Sequence, residues 1–315
     1  MSLQRDAPSG ETLVRQVDSG LVQIDLQFGG MDGVIAAYLL HGGGDVALVE
    51  VGPTTTRAAL EAGVRAAGFA MGDVSRLLVT HIHLDHAGAA GPLVREYPHL
   101  RVGVHPVGAP HLADPSRLVA SATRIYGDQM GPLWGEVAPV PADRIDALVD
   151  GEGLEVAGRT LVARYTPGHA SHHVAFIDNA TGTIFTGDVG GVRIQGTRYV
   201  CPPTPPPDIN PAAWATSIET LRAVGARRLA LTHFGVFDDV QAHLGALMPN
   251  LDEMIAAARE ELAGDDETER LTLRLHAMER AALGRSDPDA FTRLELATPG
   301  YMAALGLRRL LRQQR

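Results

Sequence analysis

The stretch VTHIHLDHAG, residues 79–88, places His81, His83, Asp85 and His86 within six positions. Imidazoles that compete for protons, and repel once charged, make poor core material but good ligands for a borderline divalent cation. Three more stretches carry the same kinds of donor at the end of a β-like run: His169 in TPGH, Asp188 in FTGD and His233 in LTHFG. Seven donors are too many for one tetrahedral ion and suit two ions joined by a bridging carboxylate. Nitrogen and oxygen donors without thiolate fit Zn²⁺, Mn²⁺ or Fe²⁺ and do not choose among them; zinc is the expected metal, with Mn²⁺ or Fe²⁺ as alternatives. His81 and His83, two apart, can face one way in an extended segment, while Asp85 and His86 turn toward a neighbouring ion.

These residues need a scaffold. LVQIDLQF (21–28), GVIAAYLL (33–40) and DVALVEVG (45–52) read as consecutive strands with glycine-rich turns. TTTRAALEAGVRAAG (54–68) has helical spacing, with Thr54 or Thr55 as N-cap. VSRLLVT (74–80) is a strand that runs into the histidine cluster, and a helix follows through AAGPLVREYP. The cluster therefore occupies a loop at a strand end, where rigid scaffolds hold chemistry. RVGVH (101–105) is a further strand, and 107–147, with Tyr126, Met130 and Trp134, reads as less regular. Segments 154–169 and 172–188 alternate like antiparallel strands, with a hairpin turn at Asn179 to Gly182. Proline and glycine interrupt 189–211, so CPPTPPPDINP reads as a long loop. Asp208 or Asn210 then caps a helix with Pro211 near its first position. RRLALTHFG (227–235) is a strand ending at His233. From residue 238 the periodicity is helical, which divides the chain into a metal-binding domain, 1–237, and a region of three or four helices, 238–315.

A chain of 315 residues, 45% hydrophobic and 20% charged, can build a sizeable core without cross-links. Its single cysteine, Cys201, excludes an internal disulfide and fits a reducing cytoplasm, the expected location. The first sixteen residues carry no apolar leader, and no run reaches the ~18 apolar residues of a membrane span. A net charge of −10 disfavours nucleic acid as a partner. The expected partner is a small-molecule substrate, with no membrane and with a homodimer open.

THIHLDHAG, TPGH, FTGD and THFG, in that order, resemble the metallo-β-lactamase fold superfamily over about residues 20–237. The resemblance implies an α/β fold, an αββα four-layer sandwich of two mixed β-sheets flanked by helices, here with a helical C-terminal appendage. It also implies that His81, His83 and His169 hold one metal, that Asp85, His86 and His233 hold the other, and that Asp188 bridges them. Members often carry a second histidine about four places after the PGH histidine, which makes His173 a candidate to steady a ligand. Arg193 and Tyr199, on the loop after Asp188, and Tyr126 are candidate substrate contacts. His99, His105, His111, His243 and His276 are expected bystanders.

Two metals sharing a water bring its pKa toward neutrality, and the resulting bridging hydroxide can attack a carbonyl, with Asp85 as the catalytic residue that orients it. The expected activity is dinuclear metal-dependent hydrolysis of a small ester, thioester or lactone, in the glyoxalase II-like branch. The alternatives are a phosphodiesterase and a mononuclear-iron sulfur dioxygenase on the same scaffold. Asp188 argues against antibiotic hydrolysis, because the β-lactamases of the superfamily lack the bridging aspartate. The 44 residues between Asp188 and His233 leave no room for the inserted cap of the nuclease branch. His83 stands where the flavodiiron branch has glutamate. Val189, Gly190 and Gly191 stand where lactonases often place a tyrosine. No ligand is missing, which argues against a non-enzymatic metal scaffold.

Overall fold

The computed structural model describes residues 13–262, 268–284 and 287–314. Residues 1–12, most of the stretch expected to carry no apolar leader, lie outside them. The first sheet takes β1 (Val14–Asp18), β2 (Leu21–Asp25), β3 (Ala36–Gly42), β4 (Asp45–Val49), β5 (Val74–Leu78), β6 (Arg101–Val104) and β7 (Ile145–Ala147) in sequence order. Its first four strands are antiparallel neighbours, and β4 to β7 are parallel. Parallel neighbours need crossovers. These are α1 (Arg57–Ala66) before β5, then α2 (Leu84–Ala87) and α3 (Ala90–Glu96) before β6. Before β7 come α4 (Ala109–Ala113), α5 (Ser116–Tyr126) and α6 (Met130–Trp134).

The second sheet is built from β8 (Gly153–Val156), β9 (Arg159–Tyr165), β10 (Val174–Asp178), β11 (Thr183–Phe185), β12 (Arg228–Leu231) and β13 (Gly235–Phe237). All its neighbours are antiparallel except β11 and β12, which α7 (Pro211–Ala223) connects. Both sheets are therefore mixed, as expected.

The two-residue period of a strand sorts the core into layers. On β3, Ala36, Tyr38 and Leu40 face the second sheet, while Ala37 and Leu39 face the helices of the first. On β10, Val174 and Phe176 meet them from the other side, and Ala175 and Ile177 face outward. The Tyr38 hydroxyl, buried between the sheets, donates to Leu231 O at 2.6 Å and so keeps its polar tip satisfied. Helices α1, α3 and α5 cover the first sheet.

The C-terminal helices are α8 (Val240–Glu261), α9 (Thr268–Leu283), α10 (Ala290–Ala297) and α11 (Gly300–Gln313). Leu244, Leu247 and Leu251 of α8, Leu271 and Leu275 of α9, and Leu307 of α11 share one apolar cluster with Ile218 of α7 and Leu229 of β12. Three of these helices thus extend the outer layer of the second sheet. The segment 107–147 holds three helices where the sequence reads as irregular. Pro110, Pro115, Gly127, Pro132 and Gly135 punctuate it, and Ala122 alone is buried on α5. The apolar period is therefore short and interrupted.

Candidate metal centre

Strand direction gathers the donors. In the second sheet β9, β11 and β12 run the same way, so the loops after them open on one edge. Those loops carry His169, Asp188 and His233. The loop after β5 brings His81 to His86 from the first sheet, and Val174 N donates across to Thr80 O at 2.8 Å. Glycine permits the tight passages. Gly168 has φ +150°, and a Cβ there would meet Trp214 Cα at 2.4 Å. Gly187 has φ +49°, and a Cβ there would meet Thr80 Oγ1 at 2.4 Å.

All seven expected donors converge. One atom each from His81, His83 and His169 lies within 4.8 Å of the other two, and the same holds for Asp85, His86 and His233. His83 Nδ1 is 2.9 Å from His81 Nε2 and 3.0 Å from His169 Nε2. Asp188 stands between the groups. Its Oδ2 is 3.4 Å from His169 Nε2, and its Oδ1 is 3.2 Å from His86 Nε2 and 3.5 Å from His233 Nε2. Asp85 Oδ2 is 3.3 Å from His233 Nε2.

The remote ring nitrogens are tied down. His169 Nδ1 meets Pro203 O at 2.9 Å, His233 Nδ1 meets Val34 O at 2.9 Å, and His86 Nδ1 meets Glu50 Oε1 at 2.9 Å. As donors, these nitrogens leave each Nε2 lone pair facing the centre. Glu50, at the end of β4, also accepts from Thr80 Oγ1 at 2.6 Å and Thr232 Oγ1 at 3.1 Å. Sequence reasoning missed Glu50. Its one signal was a carboxylate closing the apolar run DVALV.

Electrostatics divide the cluster. Burial, then the neighbouring imidazoles, hold His81 and His83 well below their ordinary values, and burial lowers His169. These rings are neutral at pH 7 and offer lone pairs. Burial opposes the charged form of His86 and His233 too, but Glu50 and then Asp188 outweigh it at His86, and Asp188 and then Asp85 outweigh it at His233, so both are raised. Burial likewise works against ionised Asp85 and Asp188; the imidazoles win, holding Asp85 at about 2 and Asp188 well below its ordinary value. Three buried atoms, His86 Nε2, His233 Nε2 and Asp188 Oδ1, have no aligned hydrogen-bond partner. Leaving such groups bare costs roughly 1–3 kcal/mol each. A cation shared among them would remove that penalty and displace protons, so the donor set fits metal.

A cleft opens above this floor. His83, Asp85 and Asp188 reach its base. Leu118, Ile125, Tyr126 and Trp134 form one wall, with Pro203, Pro205–Pro207, Pro299 and Met302 opposite. Of the three expected substrate contacts, Tyr126 lines the cleft. Arg193 does not: it is buried, its Nη1 donates to Asp239 Oδ1 at 2.7 Å, and its guanidinium lies 4.2 Å from the Phe237 ring centroid. Tyr199 packs instead with Cys201, Leu283 and Leu294. The segment 192–201 folds back along the region after His233, with Arg193 N donating to His233 O at 2.7 Å, and the prolines, not this segment, line the cleft.

His173 is fully buried, with Nδ1 2.8 Å from Thr166 Oγ1 and Nε2 accepting from Val189 N at 3.4 Å. It pins the loop that carries Asp188. Among the expected bystanders, His243 is also buried and meets Gly190 O through Nε2 at 2.7 Å.

The sequence profile of the metallo-beta-lactamase superfamily matches residues 30–235. The atrochrysone carboxyl ACP thioesterase of Aspergillus fumigatus is 33% identical over 115 residues, covering 36% of this chain and 27% of that protein. A metallo-beta-lactamase fold-containing protein of Sulfurisphaera tokodaii is 26% identical over 163 residues, covering 51% of this chain and 60% of that protein. The chain thus spans about a quarter to three fifths of the length of these curated relatives. Among solved structures, a metallo-beta-lactamase family protein from Thermus thermophilus superposes with a TM-score of 0.69 at 26% identity, over 95% of each chain. An archaeal metallo-beta-lactamase superfamily protein from Sulfolobus tokodaii shares the fold, with a TM-score of 0.63 at 19% identity over 92% of this chain and 98% of that one. The matched span, the order of the motifs and the paired mixed sheets agree: the chain belongs to the metallo-beta-lactamase superfamily, a family of metal-dependent hydrolases.

Proposed function

We propose that the chain is a dinuclear metal-dependent hydrolase of a small ester, thioester or lactone, with an acyl thioester of apolar acyl chain as the preferred class. The observation that carries this reading is the base of the cleft, where Asp188 turns one oxygen toward each group of histidines. His81, His83 and His169 would hold one divalent ion, zinc first, and Asp85, His86 and His233 the other. Bound there, the two ions would polarise the scissile carbonyl and lower the pKa of a water between them.

The rest falls to the chain's own groups. Asp85 stays ionised to about pH 2 and reaches the cleft, so its carboxylate can orient a water and accept its proton. Tyr126 stays protonated, since burial and then Asp85 push its phenol up, and offers an O–H donor in the cleft. The apolar walls exclude water and receive the acyl chain. Among the described residues no arginine lines the cleft, which favours an acyl over a phosphodiester substrate. Relatives that bear the name of ACP thioesterase support the thioester class.

The test is a panel of acyl thioesters, lactones, aryl esters and phosphodiesters, run beside elemental analysis. Thioesters with apolar chains should turn over fastest, with two catalytic ions per chain. Asp85→Ala and His83→Ala should each lower turnover by about 10²–10⁴-fold. Activity that survives both substitutions, or that prefers phosphodiesters, would contradict the reading.

A further inference from the structure

A second group of donors lies in the C-terminal helices. His276 and Glu279 sit three residues apart on α9 and therefore share a face, and Glu295 comes from α10. One donor atom from each lies within 4.8 Å of the other two. Glu279 is 2% exposed, yet its Oε2 has no hydrogen-bond partner. Its Oε1 accepts from the Cys201 thiol at 3.9 Å. His276 Nε2 is buried as well and lies 2.9 Å from Glu295 Oε2 without the alignment of a hydrogen bond. Glu295 accepts from Gly300 N through both oxygens, at 3.1 and 3.3 Å.

A carboxyl group buried to this degree needs a proton or a cation beside it. Burial, then repulsion from Glu295, pushes Glu279 up to about 8. Arg280 pulls the other way only weakly, and its guanidinium lies 3.4 Å from the Phe291 ring centroid. The donors are one imidazole and two carboxylates, a set that suits a zinc-class ion with one coordination position left for water.

We propose that His276, Glu279 and Glu295 form a separate site for a divalent cation of the zinc class, with the Cys201 thiol holding Glu279 in place from behind. Hydrogen bonding to the far oxygen of a ligating carboxylate is how such ligands are oriented. The three residues do not line the cleft, so the site is structural. The ion clamps α9 to the last turn of α10, whose Glu295 also holds Gly300 N at the start of α11. Ala297 at the end of α10, Thr298 and Pro299 of the turn after it, and Met302 of α11 form part of the cleft wall. Filling the site therefore fixes one side of the acyl-binding cleft.

The test takes the wild-type chain, dialysed against micromolar zinc and then metal-free buffer, and collects anomalous diffraction at the zinc edge. A peak between His276, Glu279 and Glu295 is expected. In solution, His276→Gln should bind one zinc fewer per chain than the wild type, and Glu295→Gln serves if that variant does not fold. A map without the peak overturns the proposal, whatever lies between the two sheets; so does equal zinc content in wild type and variant. A peak here with none at His81 to His233 would count against the hydrolase reading alone.

Discussion

Glu50 never enters the cleft, yet its oxygens hold His86, Thr80 and Thr232 together. In Glu50→Gln the amide carbonyl can serve those three groups only by turning its NH₂ toward Thr80 N, which now donates to Oε2 at 3.3 Å. Metal affinity should fall about 10–100-fold, measured by chelator competition, and excess zinc should restore turnover. Unchanged affinity would remove Glu50 from the account. The seven donors were legible because strand-end motifs repeat one chemical type at fixed spacing. Glu50 was not, since a single carboxylate after an apolar run has many uses. Arg193 and Tyr199 were misplaced for a related reason. Sequence puts them after Asp188, but nothing local says that the loop folds back toward Asp239 and the C-terminal helices.

Helix α7 connects parallel strands and starts beside a donor. Asn210 Oδ1 accepts from Ala213 N at 3.1 Å as its N-cap, and Asn210 N donates to Gly168 O at 2.8 Å. Gly168→Ala must push either α7 or the His169 loop. We expect a loss of about 1–3 kcal/mol in urea unfolding together with weaker metal binding. A variant as stable and as metal-loaded as the wild type would show that the contact is slack. Helix α8 contributes His243, which burial and then Arg193 lower to about 4. The unfolded chain takes up that proton first as pH falls, so the stabilisation is complete above about pH 6.5 and lost toward pH 4, an effect of about 3 kcal/mol. His243→Gln, which keeps a donor for Gly190 O, should flatten the fall of Tm over that window. An unchanged slope would assign the acid sensitivity elsewhere. The strands and long helices were legible from period and turn residues. The parallel pairings of β4 to β7 were not, because pairing is a long-range choice.

At the scale of the molecule, the cleft is a joint product. Its base comes from strand ends of both sheets, one wall from α5 and α6, and the other from the proline loop and the α10–α11 turn. Leu118→Asn, on a half-buried position of α5, should raise KM for a long-chain acyl thioester roughly tenfold and leave an acetyl thioester nearly unchanged. Equal effects on both would deny the acyl role of this wall. Helical periodicity after residue 238 revealed the C-terminal helices, but not that they share a core with the second sheet and reach the cleft. The central claim is that metal held by the seven converging donors makes this cleft catalytic. The most direct measurement strips the protein with chelator and follows thioester hydrolysis as zinc is returned. The account predicts no turnover in the stripped protein, full recovery on reloading, and in His83→Ala a recovery at least about a hundredfold lower at any zinc concentration. Turnover that persists in the stripped protein, or that returns equally in His83→Ala, would contradict it.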